Sequence, residues 1–168
     1  MPSTVAEGSH LPNIWPDFEP RLTPYLETKQ LYKVTKVIDF CYGHRLLEYE
    51  GKCRFPHGHN GRLEVDIESD ELNELGMVRD FSEVKAIVKG WIDENLDHRM
   101  ILNCSDPMVE FFKEQNEPIY VIDKNPTAEA IAELIFNYSL NHGLPVTEVR
   151  LWETMSSYAT FNLEKAQG

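Results

Sequence analysis

The chain has 168 residues, 42% hydrophobic and 26% charged, so it can bury a core of its own and is neither a disordered sequence nor one that needs disulfides. Sixteen basic against 28 acidic residues leave a net charge of −12, which argues against a partner made of nucleic-acid backbone or anionic membrane. No apolar stretch approaches the ~20 residues of a membrane span, no basic-then-apolar leader opens the chain, and three widely spaced cysteines fit a reducing, cytoplasmic setting.

Five of the ten prolines fall at or before Pro24. Proline offers no N–H, so residues 1–28 read as an extended Pro-rich arm and residues 29–168 as a single domain. From Leu31 to Tyr42 the even positions Tyr32, Val34, Ile38, Phe40 and Tyr42 share one face of a predicted strand, with His44 last. A second strand is predicted from His57 to Glu68. Leu63, Val65 and Ile67 face one way, and Arg62, Glu64, Asp66 and Glu68 the other. His57 and His59 share parity with the apolar set, so the two strands aim three histidines at one end of the core side. Asp80 and Glu83 have the spacing of a capping box. Val84, Ile87, Val88, Trp91 and Ile92 then predict an amphipathic helix over 81–96, which Gly90 weakens by ~1 kcal/mol. Residues 106–115 read as a short helix. Asn125 reads as a cap and Pro126 as the first helical position. The buried stripe Ala128, Ile131, Ala132, Ile135 and Tyr138 follows, in a helix ending near Gly143. Residues 146–153 and 158–163 alternate as two last strands. Two strands, helices, then two strands predict an α+β fold, a four-stranded antiparallel sheet with helices on one face.

The chemistry-bearing residues concentrate around Cys53 to His59. Histidines at i and i+2 lie on one strand face, and His44 ends the neighbouring strand. Three neutral imidazoles suit zinc and leave a fourth position open, the pattern of a catalytic site. With Cys53 as a fourth ligand the same set would close into a structural site. With no shared cation they are isolated histidines. Cys53 is the second candidate, because a thiol beside a cation ionises more readily. Cys41, on the opposite face, and Cys104, in a loop, read as small hydrophobes. Asp97 either orients His98 for acid–base work or simply precedes a histidine at a helix C-terminus. Glu153 continues the alternation of Val149 and Leu151, at an exposed rim or as a buried acceptor for a ligand's N–H pair.

Taken in order, the motifs are Phe40-x-x-x-His44-x-Leu46, Cys53-x-x-x-His57-Gly58-His59-Asn60 and Gly76-Met77-Val78-x-Asp80-Phe81-x-x-Val84-Lys85. Leu96-Asp97-His98-x-x-Ile101-Leu102-Asn103, Pro126-Thr127-Ala128-Glu129 and Glu153 complete them. Over about residues 31–163 this pattern resembles the 6-pyruvoyltetrahydropterin synthase / 6-carboxytetrahydropterin synthase family. The resemblance implies the tunnelling fold, in which sheets from several subunits close into a barrel. It implies a homohexamer, a dimer of trimers, with active sites between subunits. It implies zinc held by His44, His57 and His59, Cys53 as catalytic base, and Asp97 and His98 as a relay pair given by a neighbouring subunit. Glu153 falls at the pterin anchor, and Thr127 where the family contacts the pterin. The implied substrate is a small pterin triphosphate and the implied reaction that of a lyase. Three residues, Arg54, Phe55 and Pro56, separate Cys53 from His57. That spacing resembles the bacterial carboxy enzymes of queuosine biosynthesis rather than the animal-type pyruvoyl enzymes, whose spacing is longer. Two departures stand out: Gly61 follows Asn60 where an aromatic is common, and Cys41-Tyr42-Gly43 precedes His44 where small residues dominate.

Overall fold

The structure, a computed structural model, describes residues 30–163. The arm expected over residues 1–28 lies outside them. The predicted strand pair is present as β1 (Tyr32–His44) and β2 (His57–Ser69), antiparallel along their whole length. Their register sets Tyr42 opposite His59 and His44 opposite His57. β5 (Val146–Thr154) pairs antiparallel with β2, and β6 (Ser157–Asn162) with β5.

The other edge differs from expectation. Arg99–Asn103 forms β3, parallel to β1, and Ile119–Ile122 forms β4, parallel to β3. The sheet therefore has six strands in the order β4-β3-β1-β2-β5-β6 and is mixed, where four antiparallel strands were predicted. The two added strands are five and four residues long. An apolar run that short carries no measurable period, so nothing in its pattern separates strand from loop. Asp66 keeps its predicted place on the face opposite the core but is not exposed there. It is buried at a register shift between β2 and β5, where Lys33 Nζ meets it at 2.5 Å and Thr35 Oγ1 at 2.6 Å.

The predicted long helix is realised as α1 (Phe81–Val84), a π-helical turn (Lys85–Lys89) and α2 (Gly90–Asn95) in succession. Asp80 caps it, accepting from the Ser82 N–H at 2.7 Å. Glu83 does not close the capping box; it pairs with Arg79 at 2.6 Å. The short helix is α3 (Met108–Glu114), and the late one is α4 (Ala128–Asn141). Its cap is Thr127, whose Oγ1 accepts from the Ala130 N–H, not Asn125 as predicted. The Asn125 amide has a longer-range partner, donating to the Leu47 carbonyl and accepting from the Leu47 N–H, both at 2.9 Å. Gly143 ends the helix region at φ 84°, a conformation glycine adopts without strain.

Helices cover one face of the sheet. Ile38, Phe40, Leu63, Val65, Ile67, Val149 and Leu151 pack there with Val84, Val88, Ile92, Ile131, Ile135 and Phe136, none more than 4% exposed. Each such side chain stabilises the fold by ~1.5–3 kcal/mol. On the opposite face Lys33, Thr35, Val37 and Asp39 are open to solvent. Among the described residues no helix is long and apolar enough to cross a membrane.

Candidate active site

Strand parity and register bring His44, His57 and His59 together, with ring centroids 4.5–5.0 Å apart. Each ring directs Nδ1 at a backbone carbonyl: His44 at Pro126 O (2.6 Å), His57 at Phe55 O (2.8 Å) and His59 at Glu153 O (3.1 Å). A carbonyl can only accept, so each Nδ1 carries the proton and each Nε2 presents a lone pair. The Nε2 atoms converge, His44 lying 3.1 Å from both His57 and His59. Lone pairs so placed repel unless they share a cation. Two zinc–nitrogen bonds at a tetrahedral angle span about 3.3–3.4 Å, close to the separation seen. The donor chemistry and the fixed tautomers therefore fit zinc. His44 is 2% exposed, and burial holds its imidazole below the usual histidine range, in the neutral form a metal requires. The Cys53 sulfur is not part of this group of converging donors, so within one chain the closed Cys–His set is not formed.

Glu153 joins the trio rather than sitting at an exposed rim. Its Oε1 lies 3.7 Å from His44 Nε2 and accepts from the Tyr42 hydroxyl at 3.3 Å. Burial and the neighbouring carboxylate push the Tyr42 phenol up, so it is a donor at neutral pH. The Asn125–Leu47 clamp holds the turn that carries Pro126, and Pro126 O holds His44; no short motif could have signalled this tie, because its partners lie far apart in sequence.

Asp97 and His98 form a pair of their own, His98 Nδ1 meeting Asp97 Oδ2 at 2.9 Å. They gather with Cys41, not with the histidine trio. The Cys41 N–H donates to Asp97 Oδ1 and the Cys41 carbonyl accepts from the His98 N–H at 2.6 Å, which fixes the pair against the edge of β1. His98 holds a positive φ of 56° there. Burial opposes the ionised form of Asp97, but the Cys41 N–H and His98 outweigh it and keep its carboxyl below the ordinary range. The His98 ring is 79% exposed. Cys53 sits half-buried as a free thiol on a turn of 3-10 helix (Lys52–Arg54), with no hydrogen bond to His98 or the trio among the described residues. An open cleft of about 560 Å³ is lined by Pro56, His57, His59, Asn60, His98 and Met100, so two of the three histidines and His98 border one space, while His44 and Asp97 are not in its lining. Thr127 is half-buried, its hydroxyl oxygen engaged at the cap.

Residues 33–164 match the model of the family described as 6-pyruvoyl tetrahydropterin synthase. The chain belongs to that family. The 6-carboxy-5,6,7,8-tetrahydropterin synthase of Rickettsia conorii is 38% identical over 135 residues, covering 76% of this chain and 98% of that one. The enzyme of the same name from Aquifex aeolicus is 32% identical over 161 residues, covering 79% and 99%. Among solved structures, the uncharacterized protein WS1659 from Wolinella succinogenes superposes with a TM-score of 0.67 at 30% identity, covering 80% of this chain and 99% of that one. The 6-pyruvoyl tetrahydropterin synthase of Caenorhabditis elegans shares the fold, at a TM-score of 0.61 and 24% identity, covering 82% and 99%. These neighbours bear out the family's fold at the level of one chain.

Proposed function

We propose that the chain is a zinc-dependent lyase converting 7,8-dihydroneopterin triphosphate and one water to 6-carboxy-5,6,7,8-tetrahydropterin, with release of triphosphate and acetaldehyde, in the queuosine precursor pathway. One observation carries the reading: three imidazoles with tied Nδ1 atoms and converging Nε2 atoms, in a chain whose curated relatives bear the carboxy name. Zinc on those nitrogens supplies Lewis-acid polarisation of the substrate's side-chain hydroxyls. Cys53 takes a proton from the first side-chain carbon. His98, oriented by Asp97, moves protons as triphosphate leaves. Glu153 accepts the N–H pair of the pterin and fixes the reacting carbon, and Thr127 contacts the same ring. The active unit is a homohexamer in which Asp97 and His98 serve the neighbouring subunit's Cys53. This arrangement agrees with the absence of any hydrogen bond between Cys53 and His98 among the described residues.

Mass spectrometry of products from dihydroneopterin triphosphate and the zinc-loaded protein tests the reading. Acetaldehyde forming in step with triphosphate is the expected result. Triphosphate without acetaldehyde would reassign the chain to the pyruvoyl type. Neither product, with zinc bound and the oligomer intact, would make it a pterin- or zinc-binding protein.

A further inference from the structure

Two of the residues that depart from the family pattern, Tyr42 and Gly61, lie side by side. Tyr42 is 3% exposed, stacked on Phe40 at 5.3 Å and edge-on to His44 at 5.4 Å, with its ring 5.8 Å from that of His59. Gly61 stands beside it on β2, opposite Phe40. A Cβ built at Gly61 would lie 2.9 Å from Tyr42 Cε1 and 3.4 Å from both Tyr42 Cδ1 and Leu151 Cδ1. Its φ is not in the left-handed region, so space, not backbone conformation, calls for glycine here. The phenol reaches past the histidines to Glu153 Oε1, the same oxygen that faces His44.

We infer that Tyr42 is a positioning residue for Glu153, with Gly61 kept free of a side chain to seat it. Glu153, one residue before the end of β5, has three rotatable bonds and a quarter of its side chain in solvent. The hydroxyl holds one carboxylate oxygen beside His44, so the remaining lone pairs are presented in one orientation. A carboxylate fixed before the ligand arrives binds paired N–H donors more tightly than one that must be ordered on binding. The inference rests on the pterin reading of the site for its ligand, and the test separates the two.

The experiment is a fluorescence titration of the zinc-loaded protein with pterin, alongside steady-state kinetics. Tyr42→Phe keeps the ring and removes the donor. It is expected to weaken pterin binding about tenfold and to act through KM, with kcat changed less than about threefold. Zinc content and melting temperature should stay at wild-type values. Gly61→Ala should weaken binding to a similar extent by displacing the ring, yet add less than about twofold in the Tyr42→Phe background, since both act through one hydrogen bond. A merely structural role for Tyr42 would lower the melting temperature and leave pterin affinity alone. Pterin affinity unchanged in Tyr42→Phe overturns the inference while leaving the functional reading intact. A wild-type protein that binds zinc but no pterin overturns both.

Discussion

His44, His57 and His59 each have a partner on Nδ1 that leaves no choice of tautomer, as the proposed ligand set requires. Period-two parity in the sequence places all three on one face and at one end. It does not reveal the carbonyls of Phe55, Pro126 and Glu153, since backbone acceptors carry no sequence signature. His57→Ala removes one of three nitrogens and should lower metal content from about one zinc per chain to near zero at stoichiometric zinc, measured by atomic emission. Cys53→Ala should keep its zinc and lose turnover. A wild-type zinc content in His57→Ala would overturn the platform. A second residue-scale prediction concerns Asp106. It is 3% exposed, takes a two-point ion pair from Arg45, one contact being Nε at 2.7 Å, and also accepts the Met108 N–H at 2.8 Å. Burial pushes its carboxyl up, but the bonds from Arg45 and Met108 and the Arg45 charge win, and the net shift is downward. The folded state thus prefers the ionised form more than the unfolded chain does. The resulting stability is present above the unfolded pKa of ~3.9 and is lost as pH falls through the lower folded-state value. Asp106→Asn should cost about 3 kcal/mol at pH 7. Its deficit against wild type should shrink below pH ~4, read by urea unfolding across pH. Parallel stability curves down to the lowest pH reached would exclude this pair as the source.

Among the elements, the long ones were legible and the short ones were not. β1 and β2, 13 residues each, repeat their alternation often enough to be read, down to the facing of the histidines. The stripe on α4 is equally clear. β3 and β4 are held by parallel pairing to β1 and to each other, and that pairing is a tertiary fact. The cap of α4 was misplaced because Asn125 and Thr127 are both good caps, and the choice between them is made by Leu47, far away in sequence. Asp97 and His98 are visible in the sequence as neighbours, but their seat against Cys41 depends on β3 joining β1. Gly90 gives a test at this scale. It is helical, φ −56°, at the junction of the π-helical turn and α2, and a Cβ there would meet nothing within 4 Å. Gly90→Ala should therefore stabilise by ~1 kcal/mol and raise the melting temperature by ~2–4 °C in a thermal scan. A fall would show that the turn needs glycine for reasons other than space.

At the scale of the molecule, β4 and β6 are sheet edges within one chain, and Val37 and Tyr158 are 44% and 53% exposed. Exposed edges favour pairing with another chain. The expected outcome is a stable homo-oligomer at micromolar concentration, seen by light scattering. Inactive Cys53→Ala and His98→Ala proteins should regain part of wild-type turnover when refolded together, because mixed assemblies contain some sites with both groups intact. A monomer, or mixtures as inactive as their parents, would overturn the shared site.

The three carbonyls that steady the imidazoles have a bearing on the order of assembly. Phe55 precedes the histidine pair on β2, Pro126 comes long after it, and Glu153 lies one residue before the end of β5. A nascent chain that has completed the β1–β2 hairpin already carries every nitrogen of the site, yet lacks two of the three groups that aim them. For the proposed zinc, tight capture would thus come late, after α4 has docked and the C-terminal hairpin has closed. Under the proposed reading, metal uptake would certify a chain folded through Glu153, and one interrupted before it would release its ion readily.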